Sequence, residues 1–281
     1  MLQRTLTAVG ILLVALLLVI FSSYIIFPLA LSLLAIVAVY EILKVMGAHK
    51  KLALSIPAYL IAAVFPTLAY FVTPETNLYF ILAIAATIFV YMLYLMGVSV
   101  FSKGKTTFAS ISEVFVSVLY VTVSVTALSL IRYLDREVGV YEVVLVFVVA
   151  WICDVFAFLV GSAIGKHKLI PEVSPKKTVE GAVGGVVFTA LLCLGYGFGL
   201  DFVLTDMSVN YIFLAVIGVI LPVVSQLGDL VASLIKREYG VKDYGKIFPG
   251  HGGVMDRFDS VFAVSTVLLI LCIIFPPFKM G

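Results

Sequence analysis

Residues Ser225 to Asp259 read SQLGDLVASLIKREYGVKDYGKIFPGHGGVMDRFD. The stretch starts inside an apolar run, crosses a basic and glycine-rich segment, and ends on two aspartates, in a chain that is 63% apolar. A charged side chain at the centre of a bilayer costs about 2.5–3.5 kcal/mol even on the lenient insertion scale. Acids kept in such surroundings need a function or a partner.

The surroundings are set by the other residues. With 281 residues, 12% of them charged, and a mean hydropathy of +1.22, the chain carries too much apolar side chain for a soluble domain and reads as an all-α polytopic integral membrane protein. The net charge of +2 gives no sign of a nucleic-acid partner, and none is expected. Cys153, Cys193 and Cys272 are widely spaced in apolar runs and read as small core residues. The apolar run after Arg4 continues past residue 40 without a small-residue cleavage site, so a retained first helix is expected there.

A spanning helix needs about 20 mostly apolar residues. On that measure there are about nine spans, at 6–25, 28–47, 52–72, 78–97, 109–133, 141–164, 180–200, 210–236 and 257–276. The first two are separated only by a turn before Phe27-Pro28, since the residue before proline disfavours helix. Of the 18 Lys and Arg residues, all but Arg132, Arg136 and Lys279 fall on one side of this scheme. The positive-inside rule then places the N-terminus in the cytoplasm and the C-terminus outside. Loops 165–180 and 237–256 become cytoplasmic. In residues 1–140 the spans are almost purely apolar, whereas the last four spans, in 141–281, carry nearly all the buried-looking polar chemistry.

Within the second region Asp154 and Asp229 lie inside apolar runs, and Asp256 and Asp259 stand three apart at the start of the last span. One helical turn puts that last pair on a common face. Ser225 and Gln226 share the face of Asp229, just after Pro222. Four unpaired acids at depth would cost roughly 10 kcal/mol, about a domain's whole stability. Clustered carboxylates make a hard oxygen site suited to Mg²⁺. The alternatives are ion pairs with Lys236, Arg237 or Arg257 and, for Asp256 and Asp259, an ordinary acidic helix start. Glu41 and Glu113 sit near helix ends with Lys44 and Lys105 in reach and read as structural; His49 and His167 read as surface residues.

Two segments complement the acids. SPKKTVEG (174–181) offers Ser174, Lys176, Lys177 and Thr178 ahead of Glu180, with Thr178 a candidate helix cap; KREYGVKDYGKIFPGHGG (236–253) offers lysines and free backbone amides. Such groups hold phosphate oxygens, the lysines as point charges and the glycines as exposed backbone. His251, in PGHGG, lies between the lysines and the acid pair as a candidate substrate contact.

The ordered string S-x-x-K-R-x4-K-D-x-G-x2-F-P-G-H-G-G-x2-D-R-x-D, from Ser233 to Asp259, resembles the signature of the phosphatidate cytidylyltransferases, and SPKKTVEG resembles that family's second recurring motif. Residues 1–140 match only as a hydrophobic bundle. The resemblance implies cytidylyl transfer from CTP to phosphatidic acid, giving CDP-diacylglycerol and pyrophosphate for phospholipid biosynthesis, in the cell (inner) membrane with the active site on the cytoplasmic side. It implies one or two cations, one of them Mg²⁺, held by Asp229, Asp256 and Asp259 with Asp154. Lys236 would act with the catalytic acids. The substrate-binding set would be Ser174, Lys176, Lys177, Thr178, Glu180, Arg237, Lys242, Asp243, His251, Gly252, Gly253 and Arg257. The diacyl tails would remain among membrane lipids, and a homodimer is the implied assembly. The rival readings are a CTP-dependent membrane lipid or polyprenol kinase and a cation-coupled transporter.

Overall fold

The computed structural model describes residues 2–280. Arg4, counted above among the cytoplasmic basic residues, lies outside the residues whose side chains are described. In chain order the α-helices are α1 (Leu2–Ile20), α2 (Ile26–Val45), α3 (Leu52–Leu68), α4 (Asn77–Phe101), α5 (Phe108–Leu134), α6 (Gly139–Ile164), α7 (Val179–Val203), α8 (Tyr211–Glu238) and α9 (Met255–Ile274). Among the described residues eight helices, α2 to α9, are long and apolar enough to cross a membrane. The predicted spans agree with these helices to within a few residues, and the chain is an integral membrane protein.

Local signals explain the boundaries. α2 starts with Pro28 in its first turn, where a missing N–H is no loss. It ends on Gly47 at φ 69°, with Gly47 N donating to Lys44 O and Ala48 N donating to Leu43 O, the paired bonds of a glycine-terminated helix. α8 starts at Asn210, whose side chain accepts from Phe213 N at 3.0 Å. Not foreseen from sequence are two short antiparallel ribbons: β1 (Lys168–Ile170) with β2 (Ser174–Thr178), and β3 (Met207–Val209) with β4 (Phe278–Met280).

The chain divides into two compact units. The first comprises Met1–Leu134 with Val241–Arg257, the second Asp135–Gly240 with Phe258–Gly281. Inside the first, α2, α3, α4 and α5 pack on one another. Hydroxyls bind within that packing: Ser32 Oγ lies 2.7 Å from Thr67 Oγ1, and Ser129 Oγ donates to Pro66 O at 2.7 Å. Arg132, buried near the end of α5, donates to Ser22 Oγ and Ser23 Oγ at 2.8 and 3.1 Å, which satisfies a charge that would otherwise be costly to bury.

In the second unit α7 packs on α6 through small residues. A Cβ on Gly185 would meet Cys153 O at 3.0 Å, one on Gly181 would meet Ala157 O at 2.5 Å, and one on Gly184 would meet the Val160 side chain at 2.6–2.7 Å. Membrane helices lack a hydrophobic drive to associate, so close backbone approach of this kind supplies the packing energy. Gly184→Val is expected to lower thermal stability in detergent by about 1–3 kcal/mol through overpacking. Gly199→Val, at a position on the same helix with nothing within 4 Å, is expected to change it by less than about 0.5 kcal/mol.

Candidate active site

In the second unit the close α6–α7 contact determines where SPKKT lies. β2 runs into α7, and Thr178 caps the helix, its Oγ1 accepting from Gly181 N at 3.1 Å, as its sequence context suggests. The same hydroxyl is crowded by three glycines: a Cβ on Gly161, Gly165 or Gly181 would meet it at 2.7–2.9 Å. Glu180 takes the base of the ribbon. Its carboxylate accepts from Lys166 N at 3.1 Å and His167 N at 3.2 Å, and lies 2.6 Å from His167 Nδ1. Both residues thus hold the segment in shape. His167 is exposed, as expected of a surface residue, yet it has Glu180 as a partner.

Lys177, the second lysine of SPKKT, forms an ion pair with Asp229 of α8. The sequence offered Lys236, Arg237 and Arg257 as partners for the acids; the ribbon supplies a different one. Lys176 is exposed and Ser174 half-buried in the same strand. Arg237, at the end of α8, donates from Nε to Val173 O at 3.3 Å, so its side chain reaches the residue just before SPKKT.

Asp229 lies beside Gly228, where a Cβ would meet Ala263 Cβ at 2.7 Å and Asp259 O at 2.9 Å. That missing side chain lets α8 and α9 approach at the level of the acids. Asp259 is buried on α9, with Asp229 and Asp154 bearing on it as like charges and Lys236 as an opposite one. Its Oδ1 accepts from Ser260 N at 2.8 Å, and Ser260 Oγ donates to Asp154 Oδ2 on α6 at 3.3 Å. Gln226, one turn before Asp229, donates to Ala182 O at 3.1 Å. Three of the four expected acids are therefore neighbours in one unit. Their donor set of carboxylates and hydroxyls, without thiolate or imidazole, suits a hard divalent ion. Among the described residues, no three His, Cys, Asp or Glu side chains are placed as a ready metal-holding group.

The other half of the signature belongs to the first unit. Asp256 Oδ2 accepts from Tyr244 N at 2.7 Å and Gly253 N at 2.9 Å. His251 N donates to Phe248 O at 2.9 Å, and Arg257 Nε donates to His251 O at 2.7 Å. His251 Nδ1 is buried without a hydrogen-bond partner among the described residues. Lys242, Asp243 and Arg257 are exposed, Gly252 stands at φ 87°, and Gly253 is buried.

Glu41, which the sequence marks as structural, makes a structural contact that its own neighbours do not announce. It is 2% exposed, and its Oε2 accepts from Met255 N at 3.0 Å. The sequence points to Lys44 as its partner; the hydrogen bond that the structure gives it is to the Met255 amide.

The Lys177–Asp229 pair is about one-quarter exposed on each side, so its strength should lie between the surface and buried regimes. A double-mutant cycle of Lys177→Met and Asp229→Asn on thermal stability is expected to give a coupling of about 0.5–3 kcal/mol. Additive losses would show that the pair does not form.

The sequence profile of the Cytidylyltransferase family matches residues 2–275. A phosphatidate cytidylyltransferase of Staphylococcus saprophyticus is 39% identical over 179 residues, 64% of this chain and 65% of that protein. The protein of the same name from Staphylococcus haemolyticus is 38% identical over the same shares. That of Bacillus subtilis is 39% identical over 184 residues, 66% of each chain. The matched segment spans slightly less than two thirds of each relative's length. With the family profile matched over nearly its whole length, the chain belongs to the Cytidylyltransferase family.

Proposed function

We propose that the protein transfers a cytidylyl group from CTP to phosphatidic acid, releasing pyrophosphate and forming CDP-diacylglycerol. The observation that carries this reading is the Lys177–Asp229 ion pair, which joins a phosphate-binding type of segment to a group of hard-oxygen donors. The names of the relatives support the choice of substrates.

A phosphate oxygen of phosphatidic acid attacks the α phosphorus of CTP, and the bond from that phosphorus to the oxygen bridging the β phosphate breaks. The attacking oxygen is already ionised near neutral pH, so no strong base is needed, and positioning with electrostatics dominates the rate. Asp229, Asp259 and Asp154 would hold Mg²⁺, and Asp256, one helical turn before Asp259 in the sequence, would add to that set. When bound, Mg²⁺ supplies charge neutralisation at the phosphates. Lys176, Lys236, Arg237 and Lys242 neutralise the triphosphate and the leaving pyrophosphate. Lys177 exchanges its pairing with Asp229 for a phosphate oxygen as substrate arrives. Ser174, Asp243, His251, Gly252, Gly253 and Arg257 contact substrate, while Thr178 and Glu180 keep the ribbon in register. The basic side of the chain, with both loops, faces the cytoplasm. The acyl tails stay in the bilayer, and the enzyme works as a homodimer.

The reading is tested with purified protein, phosphatidic acid, Mg²⁺ and CTP labelled at either the α or the γ phosphate. Label from the α position is expected in lipid, and γ label in lipid would establish a kinase instead. Asp229→Asn is expected to lower kcat by at least about 100-fold with the fold retained. Full turnover in that variant would remove Asp229 from the reaction.

A further inference from the structure

The glycine loop of the first unit is built around a carboxylate that belongs neither to the loop nor to the signature. Glu41 enters from α2, in the last third of that helix. A Cβ placed on Gly253 would overlap its Oε1, Cδ and Oε2, and one placed on Gly245 would overlap Oε1. That second Cβ would also lie 3.2 Å from Gly253 Cα, so the two glycines face each other across the Glu41 carboxylate. Oε2 accepts from Met255 N, where α9 starts, the Val254 amide also bears on the carboxylate, and Oε1 is buried without a hydrogen-bond partner among the described residues. Asp256 completes the arrangement from the loop's own end by accepting from Tyr244 N and Gly253 N. Met255, Tyr244, Val254 and Gly253 are all buried.

Burying a carboxylate with one oxygen unbonded is costly. An apolar side chain in α2 would fill a core position without that cost. It would not, however, hold the Met255 amide, and a bulkier one would not admit two glycine backbones at this distance. The arrangement therefore gives up stability for a defined loop shape. Gly245 and Gly253 are required here because a side chain would occupy the carboxylate's space, whereas Gly250 and Gly252 stand at φ 77° and 87°, where a β-carbon is disfavoured.

We propose that Glu41 is a positioning residue for the reaction: its carboxylate fixes the Tyr244–Met255 loop in the shape in which its flanking basic groups meet the triphosphate. The proposal rests on the cytidylyl-transfer reading above. It gives Glu41 no contact with substrate and makes it act through Gly245, Gly253 and Met255.

The test uses full-length protein in detergent or nanodiscs. In Glu41→Ala the KM for CTP is expected to rise about tenfold or more, the scale of loss that small misplacements produce, while the KM for phosphatidic acid stays within about twofold. Amide exchange across 244–255 should lose protection while the α3 and α5 peptides keep theirs. Glu41→Gln, which retains an acceptor for Met255 N, is expected to recover most of the CTP affinity. Gly253→Ala should be severely impaired in the wild-type background. On Glu41→Ala, where the methyl has room, it should add less than about a twofold further loss. A fall in kcat alone with unchanged KM for CTP would overturn the proposal. So would undiminished exchange protection, or losses at Glu41 and Gly253 that simply multiply. If the alanine variant does not fold, Glu41→Gln and Gly253→Ala with the exchange measurement still decide. If the wild-type protein transfers no α label from CTP, the reading of function has failed, and exchange at 244–255 remains the separate measure of what Glu41 does.

Discussion

Asp259 is buried on an apolar helix with Asp154 and Asp229 bearing on it as like charges, and the arrangement of the second unit answers that constraint. Each acid has a nearby group that lowers its cost: Lys177 for Asp229, the Ser260 amide for Asp259, the Ser260 hydroxyl for Asp154. Gly228 brings the backbones of α8 and α9 together at that level, and Gly181, Gly184 and Gly185 bring α7 onto α6 so that the SPKKT ribbon delivers Lys177. Small residues in membrane helices usually serve association alone. Here they also decide which charges become neighbours.

The first unit repeats the principle with a different outcome. Glu41 and Asp256 are acids whose partners are backbone amides, and their product is the shape of the Tyr244–Met255 loop. Carboxylates thus do two kinds of work in this chain. Asp154, Asp229 and Asp259 lie together on the packed helices of the second unit, while Glu41 and Asp256 accept amides of a glycine-rich segment in the first.

Much of this was legible in the residues. Apolar run length located the helices because the need for about 20 apolar residues is set by bilayer thickness. Thr178 as a cap followed from its place before Glu180 and Gly181; Asp154 and Asp229 stood out by their cost in apolar runs and Asp259 by its spacing from Asp256. Lys177 as the partner of Asp229 was not legible, because that pairing depends on α6–α7 backbone approach and not on sequence distance. Glu41 was legible as a structural acid, but its partner was not, because Met255 lies more than 200 residues further along the chain. The ribbon strands escaped because three to five residues give too little period-two alternation to read. That Val241–Arg257 packs with the N-terminal helices was not legible, because such packing depends on contacts distant in sequence.

On the proposal that a divalent cation would be held by Asp154, Asp229 and Asp259, its binding would offset the cost of keeping these acids together. Thermal unfolding of the wild type and of Asp259→Asn, each in EDTA and in Mg²⁺, tests this most directly. Without Mg²⁺ the asparagine variant should be the more stable, since it removes a buried like charge, at about 2–4 °C per kcal/mol for a protein of this size. Mg²⁺ should raise the wild-type midpoint and leave that of the variant unchanged. A wild type that is already the more stable in EDTA, and that Mg²⁺ does not shift, would contradict the account.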